Sequence, residues 1–273
     1  VEVKIDGPNG DETIHCKLLC GADGAHSWVR RNFRMGNPRE TMIGFQIEVT
    51  GYNGDSGMLD MYTGKNISPG FFSWAIPTGD TTRIGTWTKA ELMNGLSSEQ
   101  YLDKLLQDQK INSRFRLCSE VARFCGPVPS GIVRKPLIER VALFGDSAGV
   151  CKPTTGGGIG PGFNQVDLLV PRLSKSMENN ELSRGTMNSI SALLKEMARN
   201  QRKKRALRDA FLTEMSDNEL ERIFDVWARP EVTDLINEFG DIENPIPLGI
   251  KMLREVPEFR RLAGRAAKAV LWG

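Results

Sequence analysis

Asp146 and the glycines around it are the residues whose types and spacing could do chemistry. Gly145 precedes the aspartate, and Gly156, Gly157, Gly158, Gly160 and Gly162 follow within one short stretch. A carboxylate can accept hydrogen bonds from the hydroxyls of a sugar-like chain. Residues without a Cβ let a flat ring or a phosphate come close to the backbone. A helix starting just after such a loop adds aligned N–H groups that favour negative charge.

Those groups need elements to hold them. Val141 to Phe144 is a short apolar run bounded by charge and glycine, which predicts a buried strand. Its carboxyl end, where Gly145 and Asp146 sit, is where open α/β sheets take their ligands. Beyond the glycines, Phe163, Val166, Val170, Leu173 and Met177 recur at spacings of three and four, which predicts one helix face. Strand, acidic turn, glycine loop and helix start would suit a reduced flavin, whose ring carries negative charge at one edge. A glycine-rich surface turn after a core strand has the same composition, so spacing alone leaves both readings open. The strict dinucleotide pattern G-x-G-x-x-G occurs nowhere in the chain.

A second acidic turn lies upstream. Val1 to Ile5 alternates, Gly7 to Asp11 turns, and Thr13 to Leu19 returns, which predicts a β-hairpin with a longer loop. It runs into Cys20-Gly21-Ala22-Asp23-Gly24, a tight turn, after which Ser27 can cap a short helix carrying Val29, Arg30 and Arg31. Residues 40 to 90 read as antiparallel sheet, with Ile43, Phe45, Ile47 and Val49 in strict alternation. Within it, Pro69 to Pro77 is an extended segment that puts Phe72, Trp74 and Ile76 on one face and Phe71, Ser73 and Ala75 on the other. One side is then a broad apolar wall, although aromatic residues filling a core would give the same pattern. Ser97 with Gln100, and Ser216 with Glu219, form capping boxes. The first opens a helix with Tyr101, Leu102, Leu105 and Leu106 inward; the second opens one with Leu220, Ile223, Phe224 and Trp227 on one side. Cys125, Gly126, Pro127, Pro129 and Gly131 read as a hinge leading to the Val141 strand.

Four stretches carry a family resemblance. GDSAG followed by PTTGGGIGPG resembles the second flavin-binding signature of FAD-dependent reductases and hydroxylases, and more narrowly that of the geranylgeranyl reductases, which saturate isoprenoid double bonds. Asp23-Gly24 resembles the superfamily's DG motif. PGFFSWAIP resembles the P-x-x-Y-x-W-x-F-P motif of geranylgeranyl reductases, with Pro69, Trp74 and Pro77 matching, Phe72 replacing the tyrosine and Ile76 the phenylalanine. The lost phenol puts any role of that hydroxyl in doubt. FGDIENP, ending at Pro245, is similar to the C-terminal region of archaeal members. The resemblance implies FAD as cofactor, with Asp23, Gly24, Gly145, Asp146, Pro153, Gly157, Gly158 and Ile159 around it. It implies a lipid channel lined by Phe72, Trp74, Ile76 and Pro77. It names no proton donor, and the electron donor stays open between NAD(P)H and ferredoxin.

Composition bounds the rest. The chain has 273 residues, 40% apolar, with a formal net charge of +2, ample for a sizeable core and no argument for a nucleic-acid partner. Two histidines and five cysteines without a C-x-x-C pair speak against a metal site and against a secreted disulfide framework. Cys118 and Cys125 could pair only if their backbones approach. No apolar run reaches the roughly 18 residues of a spanning helix. Residues 195 to 209 carry seven basic side chains against two acidic, read as a solvated helix face or, more sharply, as contact with anionic lipid headgroups. The final segment, Phe259 to Trp272, is weakly amphipathic and basic, a docked end or a membrane-surface helix.

The expected fold is therefore α/β. Residues 1–35 and 131–185 form a partial FAD-binding Rossmann-like domain, 36–130 an antiparallel substrate sheet, and 186–273 a C-terminal helical region. The expected activity is reduction of the alkenes of a geranylgeranyl lipid, in the cytoplasm or on the inner face of the membrane, with a reductant protein as one form of partner. The same flavin site could serve a hydroxylase or a halogenase using O₂, and without flavin the chain would be a lipid-binding or membrane-surface module. The resemblance also implies a first glycine fingerprint for the FAD pyrophosphate, so the chain reads as a fragment lacking about the first hundred residues of a domain-sized unit. The 273-residue chain is accordingly expected to bind FAD weakly or not at all; tight retention of FAD after gel filtration would overturn that expectation.

Overall fold

The computed structural model describes residues 1–8, 10–241 and 245–259. Ten strands and eight α-helices are described: β1 (Glu2–Gly7), β2 (Gly10–His15), β3 (Leu19–Gly21), α1 (Trp28–Asn32), β4 (Glu40–Thr50), β5 (Asp60–Tyr62), β6 (Ser73–Pro77), β7 (Thr82–Lys89), α2 (Ser98–Gln107), β8 (Ser119–Ser130), β9 (Leu137–Ile138), β10 (Val141–Leu143), α3 (Ile159–Glu178), α4 (Arg184–Ser191), α5 (Lys195–Arg208), α6 (Asp217–Trp227), α7 (Pro230–Phe239) and α8 (Ile246–Glu255). The mixed α/β class is as expected. The chain divides into two compact units, residues 1–44 with 125–202, and residues 45–124 with 203–273.

The first unit is built on a three-stranded sheet in the order β3-β10-β9. β10 runs parallel to β3, with Leu143 opposite Gly21, and antiparallel to β9. Val141, Ala142 and Leu143 are all buried, as a strand covered on both faces requires. One face carries Leu169 and Leu173 of α3 with Met187 and Ile190 of α4; the other carries Val29, Met35, Val133, Ala148 and Val150. Gly21 is obligatory in this packing, because a Cβ there would lie 2.8 Å from a Leu143 methyl and 2.9 Å from Val29 Cβ. The hairpin β1–β2 forms its own sheet, and its loop is tight rather than long: pairing continues up to Gly7 and Gly10.

The buried face of α3 differs from the one its apolar residues predict. Pro161, Gln165, Leu169, Leu173 and Ser176 are buried, whereas Phe163, Val166 and Val170 are exposed. Leu173 alone of the expected set is fully buried, with Met177 packed beside it. A pattern of apolar residues cannot see that Gln165 belongs inside, where it satisfies backbone groups described below.

The second unit contains a five-stranded sheet in the order β5-β6-β7-β4-β8, antiparallel where β5, β6 and β7 meet. Phe45, Ile47 and Val49 of β4, Ala75 of β6 and Ile84 of β7 face α2, packing on Leu102, Leu105 and Phe115. Both halves of the Ser97–Gln100 capping box form, at 3.1 and 2.8 Å. Residues 125–130, expected as a hinge, complete β8 instead. As an edge strand, β8 tolerates Pro127 and Pro129, whose missing N–H groups would break a central ladder. All five cysteines are free, so Cys118 and Cys125 do not pair. A second cluster packs α6 to α8, with Leu220, Ile223, Val226, Val232, Met252 and Val256 buried, while Phe224, expected inward, is 39% exposed.

The basic helix α5 is not simply a solvated face. Arg208 is 4% exposed, its guanidinium 5.5 Å from the centre of the Phe71 ring and bonded to Asp209 at 2.7 and 3.1 Å. Lys89 and Thr213 also reach Asp209, at 3.2 and 3.1 Å. Burial alone would raise the Asp209 pKa, but the Arg208 and Lys89 cations outweigh it and hold it below the usual carboxylate value. This pairing therefore stabilises the fold above about pH 4 and is lost as pH falls through the lowered folded-state value. The residues after Asp241 that complete FGDIENP, and those after Phe259, lie outside the described residues, apart from Pro245.

Gly85 on β7 faces Trp74 on β6, and a Cβ there would come within 2.3 and 2.6 Å of two indole atoms. Gly85→Ala is expected to destabilise the protein by about 1–3 kcal/mol, the usual cost of overpacking, measured by urea denaturation.

Candidate functional site

The parallel pairing of β3 and β10 brings the two acidic turns to one sheet edge. Gly21 and Leu143 are opposite one another at the carboxyl ends, so Ala22-Asp23-Gly24 and Phe144-Gly145-Asp146 leave the sheet side by side. The turns are also tied together. Ser147 Oγ lies 2.5 Å from Gly21 O and 2.7 Å from Phe144 O, and it accepts the Phe144 N–H at 3.1 Å. Arg30 of α1, itself buried, donates to Ser147 O at 3.1 Å and to Ala25 O at 2.7 Å.

The first turn is organised by the start of α1. Ser27 caps it as expected, accepting the Arg30 N–H at 2.9 Å, and Asp23 Oδ2 accepts the Val29 N–H at 3.0 Å. Burial would raise the Asp23 pKa. Hydrogen bonds from the Ser27 hydroxyl and from the Val29 and Trp28 N–H groups overcome this and hold it below its ordinary value. Gly24 is in the left-handed region at φ 75°, where a Cβ would strain the turn.

The second turn is a single 3₁₀ turn, Gly145–Ala148, ended by Gly149 at φ 76°. Gln165 of α3 fixes its entry: the amide donates to Leu143 O and accepts the Gly145 N–H, both at 2.9 Å, from a fully buried position. Residues 152 to 157 then close on themselves through Lys152 N–H to Gly157 O at 3.0 Å and Gly156 N–H to Lys152 O at 2.9 Å. Pro153, within this loop, is buried. Gly158 precedes α3 with no side-chain cap; Pro161 has no N–H and the Gly162 N–H is bonded to Gly158 O, so the N–H groups of Ile159 and Gly160 are the ones open to an anion. A Cβ on Gly158 would lie 3.1 Å from Asp146 Oδ1 and 3.2 Å from Cys151 Sγ, so glycine is what allows this close approach. Ile159 is exposed at the helix start.

The structure thus brings Asp23, Gly24, Gly145, Asp146, Pro153, Gly157, Gly158 and Ile159 into one unit. Sequence reasoning missed Arg30, Ser147, Cys151 and Gln165. Gln165 had one signal, a polar residue four positions before Leu169 and eight before Leu173. Among the described residues no cluster could hold a metal ion, and no helix is long and apolar enough to cross a membrane.

Phe72, Trp74, Ile76 and Pro77 belong to the other unit, in and just before β6. Trp74 is buried, its Nε1 donating to Gln46 at 3.3 Å, with Phe72 and Trp87 edge-on at 6.1 and 5.1 Å. Phe72 and Ile76 are half-buried. Phe71 departs from strict alternation: it precedes the strand and stacks on Phe72 at 4.8 Å. The apolar wall is therefore an aromatic cluster of four rings, to which Trp87 contributes from β7.

A family model for the FAD binding domain matches residues 1–182. The digeranylgeranylglycerophospholipid reductase of Methanocaldococcus jannaschii is 24% identical over 220 residues, 78% of this chain and 56% of that one. A solved geranylgeranyl bacteriochlorophyll reductase-like protein from Thermoplasma acidophilum superposes with a TM-score of 0.79 at 20% identity, covering 96% of this chain and 65% of its own. CmlS, a flavin-dependent halogenase, superposes with a TM-score of 0.64 at 11% identity, covering 94% and 53%. The chain thus spans less than two thirds of the length of each.

Gln165→Leu would leave the Gly145 N–H and the Leu143 carbonyl without their partner. It is expected to cost about 2 kcal/mol or more in unfolding free energy, read from denaturant titrations.

Proposed function

Because this chain belongs to the FAD binding domain family, we propose that it is the greater part of an FAD-dependent reductase that saturates C=C bonds in geranylgeranyl lipid chains. The observation that carries this reading is the paired exit of two acidic, glycine-bearing turns from adjacent parallel strands, beside an uncapped helix start. The relatives named for isoprenoid reduction supply the substrate class.

The residues present fit FAD. Asp23 and Gly24 would lie toward the pyrophosphate, Gly145 and Asp146 would receive the ribityl hydroxyls, and Pro153, Gly157, Gly158 and Ile159 would offer backbone to the ring. A Cβ on Gly145 would meet no atom within 4 Å, so the backbone of the second acidic turn is open to a ligand. Bound FAD, once reduced by NAD(P)H or ferredoxin, supplies the hydride equivalent. Phe72, Trp74, Ile76 and Pro77 would line the path of the lipid. An isolated trisubstituted alkene is poorly polarised, so the wall's task is to exclude water and align the chain. In this reading residues 1–35 and 131–185 serve the cofactor, 36–130 the substrate, and 186–273 the C-terminal support. A lipid substrate would place the working protein at a membrane surface.

The test is anaerobic incubation of the full-length gene product with reduced FAD and a geranylgeranyl lipid, followed by mass spectrometry. A gain of two hydrogens per saturated bond is expected. Absence of product until O₂ is admitted would defeat the reading in favour of oxygen chemistry.

A further inference from the structure

Cys151 carries a buried thiol that the reading above does not use. It is 2% exposed, and its Sγ lies 3.1 Å from Asp146 Oδ1, donating to it. Its backbone is held from two sides: the carbonyl accepts Ser130 Oγ at 2.9 Å and Gln201 Nε2 at 3.1 Å. Gln201 is itself buried and anchored, donating to Gly149 O at 3.1 Å and accepting the Ile132 N–H at 3.0 Å. The thiol therefore stands on backbone fixed by Ser130 of β8 and Gln201 of α5. On its other flank is Gly158, whose absent Cβ would contact both Sγ and Oδ1. Asp146 is half-buried, and among the described residues its Oδ2 accepts no hydrogen bond.

We propose that Cys151 is a positioning residue for the cofactor site, tying down Asp146 Oδ1 so that Oδ2 is the oxygen presented to a hydroxyl of the bound cofactor. The proposal rests on the assignment of Asp146 to FAD. A thiol suits the task because it is a weak donor, so it orients the carboxylate while leaving most of its accepting capacity. Burial, and then the Asp146 carboxylate, push the thiol pKa well above its ordinary value, so the proton that makes the bond stays in place across the neutral range. Serine at 151 keeps a donor; alanine removes it.

Two measurements test this. In the 273-residue chain, the infrared S–H stretch of Cys151, isolated as the difference between wild type and C151A, is expected to move to higher frequency in D146N, as a weakened hydrogen bond requires. An unmoved band overturns the proposal. In the full-length gene product, C151A is expected to weaken FAD binding about tenfold, the effect of misorienting one charged hydrogen-bond acceptor, with C151S recovering most of it. Unchanged affinity in C151A, where D146N does weaken binding, overturns the proposal and leaves the flavin assignment intact. Unchanged affinity in D146N removes Asp146 from the cofactor site and the proposal with it.

Discussion

The parallel pairing of β3 with β10 is the constraint on which the candidate cofactor site depends. The strands are only three residues each, and the residues they align, Gly21 and Leu143, are more than a hundred positions apart in the chain. So short a ladder holds register poorly by its own hydrogen bonds. Side chains reinforce it from three sides. Ser147 bonds back to Gly21, Arg30 bridges α1 to the 3₁₀ turn, and Gln165 clamps the strand's last carbonyl and the turn's first N–H. Each of these is buried, where an unmade hydrogen bond costs more than a made one gains. A one-residue slip would leave several of them unsatisfied at once, so register is specified by polar groups as much as by apolar packing.

The same economy governs the loop into α3. Its glycines have separate uses. Gly149 takes a left-handed conformation to end the 3₁₀ turn, and Gly158 permits a carboxylate and a thiol to crowd against the backbone. The second unit solves a different problem. One face of its sheet is an apolar core under α2. Rings on and just before β6, with Trp87 on β7, gather into a cluster that Gly85 makes room for. A buried arginine over Phe71, held by Asp209, borders that cluster, which places a charged group where helix periodicity alone would put solvent.

Much of this was legible before any fold was known. The strand at Val141, the capping boxes at Ser97 and Ser216, the Ser27 cap and the alternation of Phe45, Ile47 and Val49 along β4 all rest on interactions within a few residues, which local pattern reports faithfully; at the start of β4 Met42 is buried in place of Ile43. The errors share a cause. Phe163, Val166 and Val170 are as apolar as a core face, yet the buried stripe of α3 runs through Gln165, because two backbone groups elsewhere require an amide there. Pro127 and Pro129 read as breakers, yet they sit in a strand, because that strand is at an edge. The basic composition of α5 reads as solvated, yet Arg208 turns inward to a carboxylate and an aromatic ring.

By itself, the sequence determined the residue types, the local caps and turns, and the two acidic glycine motifs that resemble a flavin site. Those depend on chemistry between near neighbours, which spacing encodes. Only the tertiary structure decided that the two motifs leave adjacent parallel strands, that Arg30 and Ser147 stitch them together, and that Cys151 rests on Asp146. Those contacts join residues far apart along the chain. Their partners are chosen by packing and by the need to satisfy buried polar groups, and neither leaves a periodic trace.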